Sequence, residues 1–158
     1  MPFFYIKMNK EDFKNIIEPV VKRNNCMLWG IEILRGKKRI KLRVYIDSNK
    51  DIDIRDCENV SKDLNYELAL NDAFIDQDYI LEVSTPGIDR KFFKANQLSS
   101  FLEEEFNLKL RELKDGKKTL VAKLIDVKND EVLFHCVNKE MSLNFLDLDL
   151  CRFKPNFE

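Results

Sequence analysis

From Tyr79 to Phe93 the chain reads YILEVSTPGIDRKFF, an alternating run that stops at a proline and a glycine. Tyr79, Leu81 and Val83 alternate with Ile80, Glu82 and Ser84, the period of a strand with one covered and one open face. Pro86 has no amide to continue a ladder and restricts Thr85, while Gly87 is free to turn. A chain broken in this way at mid-length must complete one layer before the break and begin another after it. With 158 residues there is room for two small domains, and an apolar fraction of 44% suffices for two cores.

Before the break, Asn9 is placed to cap a helix, with Asp12 at its third position near the free amides. Phe13, Ile16, Ile17, Val20 and Val21 fall on one helical face, and Pro19 is expected to bend that helix or end its regular bonding. The period then changes. Trp29, Ile31 and Ile33 oppose Gly30, Glu32 and Leu34, and after a turn at Gly36 the residues Ile40, Leu42, Val44 and Ile46 alternate with Arg39, Lys41, Arg43 and Tyr45. These two runs predict an antiparallel hairpin around RGKK, apolar on one face and basic on the other. Asp53 and Asp56 mark the start of a second helix with the stripe Ile54, Cys57, Val60, Leu64 and Leu68, and Asn71 to Asp78 reads as a polar loop. The order helix, strand, strand, helix, strand predicts an α+β domain with both helices on one sheet face.

After the break the strands become short and closely spaced. A short helix is expected around Ser99 to Glu104, followed by strands at Leu108 and Leu110, then Leu120, Ala122 and Leu124, then Val132, Phe134 and Cys136. Met141, Leu143 and Phe145 continue, and Leu146, Leu148 and Leu150 lead to Phe153. Turns are expected at Gly116 and at Asn129 and Asp130, and the pattern suits a small β-barrel.

LEVSTPGIDR at Leu81 to Arg90, RVYID at Arg43 to Asp47 and DCENVSKDL at Asp56 to Leu64 resemble, in the same order, motifs of the RimP family of ribosome maturation factors. The resemblance implies an N-terminal α/β domain over residues 1–90 and an SH3/Sm-like barrel over 91–158. It makes Ser84, Pro86, Gly87, Asp89 and Arg90 the linker or contact between them. Thr85 and Lys91 depart from the family's usual linker, and Glu105, Ala122 and Leu150 from its usual barrel. It further implies a non-enzymatic factor without cofactor or metal, binding the small (30S) ribosomal subunit through 16S rRNA and the twelfth ribosomal protein of that subunit (S12). Such a factor promotes assembly of the subunit and maturation of its rRNA. The rival reading is a general protein-binding module without a ribosomal role, or a nuclease using the aspartates.

The residues themselves offer one functional surface. Arg35, Lys37, Lys38, Arg39, Lys41 and Arg43 are placed to meet phosphates, and Tyr45 to pack on a base or a protein. The bland alternative is a solvated face with ordinary salt bridges. Net charge is only −1, so binding to nucleic acid has to come from such a local patch rather than from the whole chain.

Catalytic patterns are missing from the sequence. Ser84 lacks the glycine spacing of a nucleophile elbow, and the single histidine, His135, sits on the less covered side of a strand. Asp47, Asp51, Asp53 and Asp56 lack the glycine and closing glutamate of an EF-hand, and no Walker, HExxH or dinucleotide motif occurs. Cys26, Cys57, Cys136 and Cys151 form no CxxC pair and read as reduced thiols. Without a secretory or membrane-spanning apolar run, a cytoplasmic monomer is the expectation.

Overall fold

The computed structural model describes residues 8–71 and 78–156. The apolar start at residues 1–7 and most of the polar loop, residues 72–77, lie outside the described residues. The chain divides into two compact units, Met1–Pro86 and Gly87–Glu158.

The first unit contains α1 (Lys10–Arg23), β1 (Met27–Arg35), β2 (Ile40–Asp47), α2 (Ile54–Leu70) and β3 (Tyr79–Ser84). Both helices begin in reciprocal capping boxes that satisfy otherwise free amides. Asp12 N donates to Asn9 Oδ1 and Asn9 N to Asp12 Oδ2, each at 2.9 Å. Asp53 and Asp56 repeat the arrangement at α2. The helix α1 runs on through Pro19 to Arg23, supported by the burial of Phe13, Ile17, Val20 and Val21. Packing outweighs the one bond that proline removes.

The sheet has the order β1-β2-β3, antiparallel between β1 and β2 and parallel between β2 and β3. Leu42, Val44 and Ile46 of the central strand join Ile31, the α1 face and Val60, Leu64 and Leu68 of α2 in one core, with Tyr79, Leu81 and Val83 packed at its margin. Both helices therefore cover the same sheet face, which leaves the other face open. Two expectations change in detail. A register shift between Leu28 and Gly30 places Leu28 opposite Ile46, so Leu28 packs on the core in the place expected for Trp29. Ile54, at the first position of α2, is 74% exposed, because the helix reaches the core only from its second turn.

The second unit contains β4 (Glu105–Lys114), β5 (Lys117–Lys128), β6 (Glu131–Cys136), β7 (Lys139–Asn144) and β8 (Leu148–Phe153). Their sheet order is β7-β6-β5-β4-β8, with every neighbouring pair antiparallel. The short helix lies earlier than expected, as a 3-10 segment at Ala95–Phe101 that buries Ala95 and Leu98. Phe145 and Leu146 leave β7 for a second 3-10 turn, Phe145–Asp147. A register shift between Lys109 and Leu110 then brings Leu148 and Cys151, rather than Leu150, into the core. Phe106 is fully buried at its centre, with Phe92, Phe153 and Phe134 edge-on at 5.4, 5.9 and 6.3 Å.

Candidate nucleic-acid interface

The open face of the first sheet carries the strand cations as expected, but each of them meets a carboxylate. The register aligns Glu32 of β1, Arg43 of β2 and Glu82 of β3 in one row. Arg43 Nε donates to Glu82 Oε2 at 2.9 Å, and Arg43 Nη1 lies 4.0 Å from Glu32 Oε1. Lys41 Nζ is 3.2 Å from Glu82 Oε1, and Arg39 Nε is 3.0 Å from Asp78 Oδ2. Three positive and three negative side chains therefore face solvent as a nearly balanced network.

The electrostatics follow from these contacts. The hydrogen bond from Arg43, and then that from Lys41, hold the Glu82 carboxyl below the usual glutamate range. The bond to Glu82 in turn raises Arg43. Tyr45 is half-buried and its hydroxyl donates to Glu32 Oε1 at 2.6 Å; burial first, then that carboxylate, push its phenol up. Tyr45 is thus a member of the network, with its polar end already engaged.

The turn between β1 and β2 is different. Gly36 N bonds to Arg39 O at 2.9 Å and closes it, while Arg35 Nη2 donates to the Met8 carbonyl at 2.7 Å. That bond fixes Arg35 without cancelling its charge. Lys37 and Lys38 are exposed and, among the described residues, have no carboxylate partner. Uncompensated positive charge is therefore concentrated at Arg35, Lys37 and Lys38, and the acids that balance the strands are the part that sequence reasoning missed. Alternation already placed Glu32 and Glu82 on this face; the strand register that sets them beside Arg43 was not legible.

The linker residues separate into two groups. Ser84 ends β3, and its Oγ donates to the Thr85 carbonyl at 3.1 Å. Gly87 has φ of 82°, a conformation that strains residues with a Cβ. Asp89 and Arg90 belong to the second unit. Arg152 Nη1 lies 3.3 Å from Asp89 Oδ2, Phe153 N donates to Arg90 O at 2.9 Å, and Phe92 N to Cys151 O at 2.8 Å. The Arg90 guanidinium carbon sits 5.9 Å from the centre of the Phe101 ring. Asp89 is thus held by Arg152 of β8.

The remaining candidates have structural surroundings. Asp53 and Asp56 are used in the α2 cap, and Asp47 Oδ1 accepts from Ser48 N at 2.9 Å. Among the described residues, no cluster of three His, Cys, Asp or Glu side chains is placed to hold a metal ion. His135 is exposed on β6 between Lys123 and Glu140. The four cysteines are free thiols, Cys26 and Cys151 buried and the others half-buried. No helix among the described residues is long and apolar enough to cross a membrane.

Residues 16–89 match the RimP N-terminal domain, a span that starts inside α1, covers the whole open face and ends at Asp89. The hairpin, second helix and strand described above, with most of α1, are therefore the part of the chain that matches this domain, a match consistent with the RimP family.

Proposed function

We propose that the protein is a non-enzymatic ribosome maturation factor that binds the small ribosomal subunit and promotes its assembly and 16S rRNA maturation in the cytoplasm. The observation that carries this reading is the match of residues 16–89 to the RimP N-terminal domain. Residues 1–90 and 91–158 act as two domains of a monomer, the second closing its five strands into an SH3/Sm-like barrel. The first grips RNA. The second takes part in contact with the twelfth protein of the subunit, and Ser84, Pro86, Gly87, Asp89 and Arg90 set the junction between them.

Within the basic surface, the turn cations Arg35, Lys37 and Lys38 make the leading phosphate contact. Arg39, Lys41 and Arg43 contribute less, because a phosphate must first displace Glu82, Glu32 or Asp78 from them. Tyr45 supports that second rank through Glu32.

Sedimentation with purified small subunits across a salt series tests the reading. Replacing Arg35, Lys37 and Lys38 with glutamine is expected to weaken association and flatten its salt dependence, by about 0.7 in log–log slope for each phosphate that is no longer neutralised. The same change at Arg39, Lys41 and Arg43 should do less. Wild-type protein that fails to sediment with the subunit at low salt would overturn the ribosomal role. Equal salt slopes in a folded turn variant would overturn only the assignment of the turn.

A further inference from the structure

In the second unit, two hairpin tips enclose a half-open cleft of about 160 Å³. Leu120, Cys136 and Met141 form an aliphatic and sulfur-lined floor. Around it stand Lys114 and Lys117 from the β4–β5 hairpin and Lys139 from the β6–β7 hairpin. The one acid in the lining, Asp115, lies 3.2 Å from Lys139 and offsets that cation. Lys114 and Lys117 have no carboxylate partner among the described residues. The rim is positive overall.

The two turns have the same geometry but different residues. Asp115 and Gly116 take φ of 53° and 76° between the paired Lys114 and Lys117, and these are residue types such a turn favours. Val137 and Asn138 take φ of 45° and 62° between Cys136 and Lys139. A β-branched residue rarely adopts that conformation, yet Val137 does so with 82% of its surface exposed, beside the cleft. The fold sacrifices turn stability at the point where an apolar side chain is added to the cleft's edge.

We propose that this cleft is a docking site for an acidic peptide segment of a partner protein, one aliphatic side chain seated on Leu120 and Met141 and flanking carboxylates on Lys114 and Lys117. A cavity of this volume takes one group of about benzene size. The choice of a peptide over RNA rests on the lining, which offers neither an aromatic ring nor an arginine for a base to stack on. This site stands apart from the ribosomal reading, and its test needs no ribosome.

The experiment is fluorescence anisotropy on the full chain with three labelled probes. They are a peptide of two leucines flanked by glutamates, the same peptide flanked by lysines, and a short oligouridylate. The acidic peptide should bind, and the paired change Lys114→Gln and Lys117→Gln should weaken it by about tenfold, equivalent to about 1.4 kcal/mol. Val137→Asn should weaken it too while raising the thermal midpoint, because asparagine suits positive φ. That opposition distinguishes docking from a structural role. Absence of saturable binding, equal binding of the basic peptide, or tighter binding of oligouridylate would each overturn the proposal. If the lysine variant does not fold, Val137→Asn decides alone, and unchanged affinity there overturns it as well.

Discussion

Arg43 Nε donates to Glu82 Oε2 across 2.9 Å, and the two residues stand opposite each other in the parallel register of β2 and β3. The contact makes Glu82 a competitor for any phosphate that approaches Arg43 or Lys41. Glu82→Gln should therefore strengthen association with small subunits and steepen its salt dependence, since two cations become available for counterion exchange. Sedimentation across a salt series reads both quantities, and weaker association in the folded variant would show that the acid serves binding instead.

The same carboxylate predicts a pH effect. Glu82 is held below its ordinary range, so near pH of about 4.3, where an unfolded glutamate titrates, the folded chain binds fewer protons than the unfolded one. Stability from this contact is complete above that region and is lost as pH falls through the lower folded value. Acid titrations of wild type and Glu82→Gln should diverge there, the wild type falling more steeply. Parallel curves would show that the contact adds nothing to acid stability.

The layer order was legible because each first-unit element announces its own period. Asn9 and Asp53 mark the helix starts, and the alternation from Ile40 to Ile46 fixes which side of β2 is buried. What remained hidden depends on pairing between distant segments. Trp29 could not be removed from the core without the register shift against β2, and Cys151 could not be placed inside without the shift between Lys109 and Leu110. The candidate site divides the same way: its cations follow from alternation, whereas their neutralisation by Glu32, Glu82 and Asp78 follows only from tertiary neighbours. The contact of Asp89 with Arg152, sixty-three residues away, likewise follows only from strand geometry.

Arg152→Ala should release Asp89 and loosen the Asp89 to Phe92 segment from β8. Because the ion pair is exposed, its own contribution is at most about 1 kcal/mol. Local opening is the more sensitive readout. Amide exchange at Phe92 and Phe153, whose bonds join the segment to β8, should accelerate while exchange in β5 and β6 stays at its wild-type rate. Unchanged exchange at both amides would mean that the backbone bonds suffice without the arginine. Arg90→Lys tests the neighbouring contact: it keeps a cation that can still face the Phe101 ring but loses the guanidinium's geometry, so its cost should stay below about 1 kcal/mol.

Phe106→Ala should separate the two units thermodynamically. It removes a fully buried ring with three aromatic neighbours, at a cost of about 3–5 kcal/mol. If each unit has its own core, the resonances of residues 87–156 should shift or broaden while those of Leu42, Val44 and Val60 keep their positions. Equal loss of dispersion in both units would make the chain a single cooperative body.

Cys151 predicts how the second unit responds to alkali. Its thiol is buried on β8, opposite Leu108 of β4, and carries no disulfide, and burial alone pushes its pKa up to about 12. An unfolded cysteine titrates near about 8.5, so between these values the unfolded chain has lost a proton that the folded chain retains. The stability associated with the neutral buried thiol is therefore complete below pH of about 8.5 and declines as pH rises toward the folded value. The limiting slope is about 1.4 kcal/mol per pH unit. Cys151→Ala should lower stability at neutral pH by leaving a small cavity, and should abolish this alkaline slope. Denaturant midpoints of the second unit from pH 7 to 11, followed by the methyl resonances of Leu108, Leu124 and Val132 in both proteins, read the two effects separately. Alkylation adds an independent check. Under native conditions at pH 8 the half-buried Cys57 and Cys136 should be modified before Cys151, because the reactive thiolate is suppressed where the thiol is buried and inaccessible. Rapid native modification of Cys151, or identical pH slopes in the two proteins, would show that the packing around this thiol opens too readily for burial to control its chemistry.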